Sequence, residues 1–106
     1  MSPDDELIEQ LRRTVASCGG DRIRRIILYG SRAARAADGD SDFDLLVVEG
    51  GGPVAAREER VRYCEALRGF PHPVDVWVMD EEEFEETKDV VGGLAYPANK
   101  YGVVLQ

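Results

Sequence analysis

The sequence predicts an α/β (α+β) domain, a small mixed β-sheet of about four strands flanked by helices. Three observations carry this. Runs rich in β-branched and aromatic residues, 23–29, 43–48 and 74–79, read as strands. Apolar residues recur at helical spacing before and between them. Clusters of turn-forming residues separate the two kinds of segment. Helices alternating with strands in this way imply helices packed on a sheet.

The chain opens on a helix start. Ser2 can cap, Pro3 suits the first helical position and Asp5 can reach back to the cap. Leu7, Ile8, Leu11 and Val15 follow at helical spacing, and Gly19-Gly20 ends the helix. The first strand, 23–29, stops at Gly30-Ser31. Arg32 to Ala37 can form a short helix, and Asp38-Gly39-Asp40 is a turn. The second strand, 43–48, gives way to the flexible loop Glu49-Gly50-Gly51-Gly52-Pro53. Val54 to Arg68 reads as a helix with Val54, Val61, Cys64 and Leu67 on one face, closed by Gly69. After the third strand, Asp80 with Glu83 three residues on is a capping-box pattern that makes 80–88 helical. Pro97 argues against one continuous helix through 87–102, and Gly102-Val103-Val104-Leu105 reads as a short last strand.

A chain of 106 residues is expected to be one domain, 1–106. No apolar run approaches the ~20 residues of a membrane span, and the acidic start lacks the basic-then-apolar order of a signal peptide. A cytoplasmic protein with no membrane contact is the expectation. Cys18 and Cys64 lack metal or redox spacing and read as free, partly buried thiols. The net charge of −8 is uneven: residues 1–35 carry +2 and residues 36–106 carry −10. An acidic chain is a poor non-specific binder of nucleic acid, because counterion release rewards a basic surface. Arg22, Arg24, Arg25, Arg32 and Arg35 can still form a local patch suited to a triphosphate or an acidic partner. Arg22 and Arg24 read first as solvated flanks, whereas Arg32 and Arg35 stand equally open to both readings.

The chemistry concentrates in Tyr29-Gly30-Ser31-Arg32 and Ser41-Asp42-Phe43-Asp44-Leu45-Leu46-Val47. In a strand, residues i and i+2 share a face, so Asp42 and Asp44 stand side by side and repel. A cation between them relieves that cost, and magnesium prefers such hard oxygen ligands while leaving room for phosphates. Taken alone, the pair reads first as an Asp-rich turn running into a strand. Asp75 shifts the balance, because it interrupts the apolar run Val74-Asp75-Val76-Trp77-Val78-Met79. If that strand lies beside 43–48, three carboxylates converge on a metal site; alternation on a half-exposed face is the competing explanation. Gly30 allows a close backbone approach, and the following N–H groups with the Ser31 hydroxyl can hold phosphate oxygens.

Gly30-Ser31, ten intervening residues, then Asp42-Phe43-Asp44 resembles the signature of the polymerase-beta-like nucleotidyltransferase superfamily. The flanks Ile27-Leu28-Tyr29-Gly30-Ser31-Arg32-Ala33 and Ser41 to Val47, with Ala95-Tyr96-Pro97-Ala98 and Gly102 to Leu105, are similar to its minimal branch, the MNT proteins, over residues 23–105. The resemblance implies a nucleotidyltransferase-like fold and a magnesium- or manganese-dependent transfer of AMP from ATP. Asp42 and Asp44 are then the metal ligands, and Asp75 completes the site and takes the acceptor proton. Gly30, Ser31, Arg32 and Arg35 hold the nucleotide. The chain departs from the usual Gly-Ser-Arg-Ala-Arg-Gly in carrying Ala34-Arg35 where Arg-Gly stands, with the spacing to Asp42 kept. The minimal branch further implies an antitoxin that modifies a hydroxyl of a HEPN-type partner protein. The chain leaves little room for an acceptor-gripping domain, so a partner is the simplest source of one; assembly with like or unlike chains is left open.

Other residues point elsewhere. His72, the only histidine, lies between Pro71 and Pro73 and reads as structural. Trp77 reads as core or partner-facing surface, and the acidic run Asp80 to Glu86 as a solvated helix face. The competing function is a binding-only antitoxin that blocks its partner sterically.

Overall fold

In the computed structural model, residues 3–33 and 42–106 are described. Helix α1 (Pro3–Gly19) is followed by a 3-10 turn at Gly20–Arg22 and strand β1 (Ile23–Tyr29). Then come β2 (Phe43–Glu49), α2 (Ala56–Ala66), β3 (Val74–Asp80), α3 (Glu81–Thr87), α4 (Ala95–Tyr101) and the two-residue β4 (Val103–Val104). The sheet order is β3-β2-β1-β4. β1 pairs antiparallel with β2 and with β4, while β2 and β3 run parallel across the α2 crossover. This is the mixed four-stranded sheet that the sequence predicts.

The elements follow from local chemistry. α1 begins at Pro3, and Asp4, Asp5 and Glu6 in its first turn face the positive end of the helix dipole. It ends where Gly20 adopts φ 57°. β2 is buried from Leu45 to Glu49, as a central strand covered on both faces must be. One core joins Leu11 and Val15 of α1, Tyr63 of α2, and Ile26, Leu28, Phe43, Leu45 and Val47 of the sheet. The second lies under α3 and α4, with Ile27, Leu46, Val48 and Met79 against Phe84, Ala95 and Ala98. Each large side chain so buried contributes roughly 1.5–3 kcal/mol. Asp80 caps α3, its Oδ1 accepting from the Glu83 N–H at 2.7 Å, as the capping-box pattern implies. α3 and α4 are separate helices, and Pro97 sits in the first turn of α4, where a missing N–H costs little. Among the described residues no helix is long and apolar enough to cross a membrane.

The structure corrects the reading of α2. The helix starts at Ala56, and Val61 is 57% exposed with Cys64 also at the surface. The buried positions are Glu59, Tyr63 and Leu67, each four residues apart. Polar contacts decide this rotation. The Tyr63 hydroxyl donates to the buried Glu49 carboxylate, and Glu59 receives Arg22 and Arg62, both at 2.8 Å. A scan for apolar residues alone misses a face whose anchor is a hydrogen-bonded tyrosine between two glutamates. Of the short helix expected over 32–37, Ser31, Arg32 and Ala33 form a turn, and the rest lies outside the described residues. The Ser2 cap and the Asp38-Gly39-Asp40 turn lie outside them too.

Candidate active site

Register brings Tyr29, Asp44 and Asp75 into one row. Tyr29 of β1 stands opposite Asp44 of β2, and Asp44 stands beside Asp75 of β3. Alternation along each strand puts the row on the face that carries Ile27, Leu46 and Trp77. Asp42, exposed just ahead of β2, stands at the mouth of the row. Gly30 closes it behind. Gly30 adopts φ 76°, and a Cβ there would fall 2.5 Å from Asp44 Oδ2. The glycine is therefore required for a close approach, and the group it admits is the carboxylate itself.

The electrostatics are those of crowded negative charge. Burial, first, and then the charges of Asp75 and Asp42 raise the Asp44 carboxyl above its ordinary range. Burial, with Asp44 and Asp75 adding to it, pushes the Tyr29 hydroxyl up to about 12, and Arg60 acts in the opposite direction. Asp75 is differently placed. An Arg60 N–H donates to its Oδ1 at 3.1 Å, and the Trp77 indole N–H donates to its Oδ2 at 3.0 Å. The Arg60 guanidinium in turn lies 4.2 Å from the centre of the Trp77 ring.

Arg32 is placed away from this row. Its side chain is 5% exposed, lies 4.3 Å from the Phe43 ring centre and pairs with Asp4 of α1 at 3.5 Å. Phe43 belongs to the core under α1 and α2, the opposite face of the sheet from Asp44. Of the two readings left open for Arg32, its described contacts are structural: a planar guanidinium packs well on an aromatic face, and here it ties the start of β2 to α1. Ser31 is exposed beside Gly30, and Arg35 lies outside the described residues.

Asp42 and Asp44 fit a divalent cation on the chemistry of their donors. Both offer hard oxygens, and the charges acting on Asp44 are those of its acidic neighbours. Among the described residues no three acidic, histidine or cysteine side chains form a ready-made cage, in keeping with Asp75 being turned toward Arg60 and Trp77. A cleft of about 260 Å³ between Gly50–Pro53 and Asp80–Glu82 lies at the other end of β2 and β3. Its acidic lining suits a triphosphate poorly.

The nucleotidyltransferase domain family matches residues 8–95. The chain belongs to this family. Nucleotidyl transfer is accordingly the activity class of this nucleotidyltransferase domain, and the family works with a nucleoside triphosphate and a divalent metal. Among solved structures, the domain is similar to a candidate nucleotidyltransferase from Sulfolobus solfataricus, solved at 1.40 Å. The two are 22% identical, with a TM-score of 0.59 over 98% of this chain and 86% of the other. That likeness concerns the fold. Among the curated proteins none matches the sequence.

Arg60 and Trp77 as partners of Asp75 are site-lining residues that the sequence reading missed, and Tyr29 stood in the motif without a role. Trp77 was legible in principle, since it stands two residues from Asp75 on the same face of a strand. Tyr29 directly precedes the glycine of the motif. Arg60 had no sequence signal, because its direction depends on the rotation of α2.

Proposed function

We propose that this nucleotidyltransferase domain transfers AMP from ATP, with magnesium, to a hydroxyl of a HEPN-type partner protein, and so acts as the antitoxin of a pair. The observation that carries the transfer reading is the register of Asp44 with Asp75, with Asp42 at the mouth of the row and Gly30-Ser31 behind it. The partner reading is supported by the resemblance of residues 27–33 and 41–47 to the minimal branch.

Asp42 and Asp44 would hold a magnesium ion, which when bound would supply charge to neutralise the phosphates. The Ser31 hydroxyl and the backbone N–H groups after Gly30 hold phosphate oxygens. Asp75 accepts the acceptor's proton as its oxygen bonds to the α-phosphorus. The bond from that phosphorus to the bridging oxygen breaks, and pyrophosphate leaves with the electron pair. The protein's part is mostly positioning.

The test uses ATP labelled at the α-phosphate, magnesium and a co-expressed HEPN-type protein, taken from the neighbouring gene if that gene encodes one. The parent should label that protein, and Asp44→Asn should lower labelling by about 100-fold or more. A parent that labels nothing yet still silences the toxin would establish the binding-only antitoxin instead.

A further inference from the structure

Asp75 is the only carboxylate of the row with a donor on each oxygen among the described residues. One donor comes from its own strand, Trp77 Nε1 at 3.0 Å, and one from another element, Arg60 of α2 at 3.1 Å. The two donors are themselves joined, because the guanidinium lies 4.2 Å from the indole centre. Two bonds from fixed directions set both the position of a carboxylate and the rotation of its plane. Each oxygen still has a second lone pair with which to accept a proton.

β3 is an edge strand, and Asp75, Arg60 and Trp77 are about two-fifths exposed: 42% and 40% for the first two side chains and 40% for Trp77. An ion pair so exposed contributes little to stability. The arrangement therefore has little value to folding, and it lies where an acceptor arriving from solvent must meet Asp75. Asp44 differs. It is fixed by the strand and by the missing Cβ of Gly30, with no comparable pair of donors.

We propose that Arg60 and Trp77 are positioning residues for Asp75: stacked on each other, they aim its carboxylate at the acceptor hydroxyl and do not contact the nucleotide. This rests on the reading of Asp75 as the acceptor-side base. It makes the acceptor half of the site depend on α2, whereas the nucleotide half is built from β1 and β2.

The experiment compares the parent with Arg60→Gln, Arg60→Lys, Trp77→Phe and Asp75→Asn, using labelled ATP, magnesium and the same co-expressed HEPN-type protein. Arg60→Gln and Trp77→Phe should each lower kcat about tenfold, with KM for ATP within about twofold and melting temperature nearly unchanged. Arg60→Lys should stay low, because it keeps the charge and loses the planar stack. Trp77 is the only tryptophan, so a nitrogen–proton correlation spectrum has one indole signal. That signal should move in Asp75→Asn and in Arg60→Gln without any substrate. Recovery of kcat in Arg60→Lys, a rise in KM for ATP at unchanged kcat, or an indole signal indifferent to both substitutions overturns the proposal. If Asp75→Asn loses transfer while Arg60→Gln and Trp77→Phe match the parent, the positioning role fails alone. A parent that transfers nothing removes the base reading, and this inference with it.

Discussion

A methyl group on Gly30 would meet two obstacles at once, a φ of 76° and an oxygen of Asp44 2.5 Å away. Gly30→Ala should therefore cost ~1–3 kcal/mol in backbone strain and also displace the carboxylate. The expected result is a lower melting temperature together with weaker ATP-dependent metal binding, read by thermal denaturation and calorimetry. Asp44→Asn should do the reverse to the fold. It removes a charge that burial and two neighbouring acids make unfavourable, so the metal-free protein should melt higher than the parent. A saturating ligand adds about 2.7 kcal/mol at a hundredfold excess over Kd. Magnesium or manganese with ATP should raise the parent's melting temperature accordingly, and Asp44→Asn should forfeit most of that gain. No shift in the parent would remove the metal site. At this scale the sequence singles out Asp42, Asp44, Asp75 and Gly30, because an acid in an apolar run or a glycine at a strand end is unusual locally. It leaves Arg32 open, since nothing local distinguishes a cation facing phosphate from one lying on a phenylalanine ring.

α2 shows why an element can be located correctly and still be turned wrongly. Its helical stretch is plain from 56–66, but its buried side is fixed by Tyr63, Glu49 and Glu59, which meet only after β2 has been placed. The same rotation points Arg60 at Asp75, so misreading one face hid a residue of the site. The strands, by contrast, are almost entirely legible, because β-branched runs bounded by glycine, proline or aspartate leave little choice. The Glu49 contact gives a pH signature. Burial is the main cause that raises its carboxyl above the ordinary value of 4.5, with the Tyr63 hydrogen bond opposing. The folded state thus keeps that proton to higher pH than the unfolded chain. Its contribution is fully present below 4.5 and is lost as pH rises through the elevated value. Glu49→Gln should flatten the fall in melting temperature over that interval; an unchanged slope would show that the carboxyl titrates as an ordinary one.

Across the whole molecule the charge is −8, and the paired arginines sit in local contacts with Glu59, Asp75 and Asp4. Random duplex DNA or RNA should therefore bind poorly at physiological salt, which fluorescence anisotropy can check; tight binding that falls steeply with added salt would point to a nucleic-acid acceptor. The row of Tyr29, Asp44 and Asp75 belongs to this scale as well. Each residue is visible in the sequence, but their alignment depends on the strand order and on register across three strands, which no local pattern encodes. The central strand has one more consequence. β2 is hydrogen-bonded on both edges and covered on both faces, so its amide hydrogens should trade with solvent deuterium more slowly than those of the two-residue β4. Asp44 rides on that strand. The carboxylate at the heart of the row is thereby set on the part of the molecule expected to open least often, while Asp75, one strand out on the edge, stays within reach of whatever arrives.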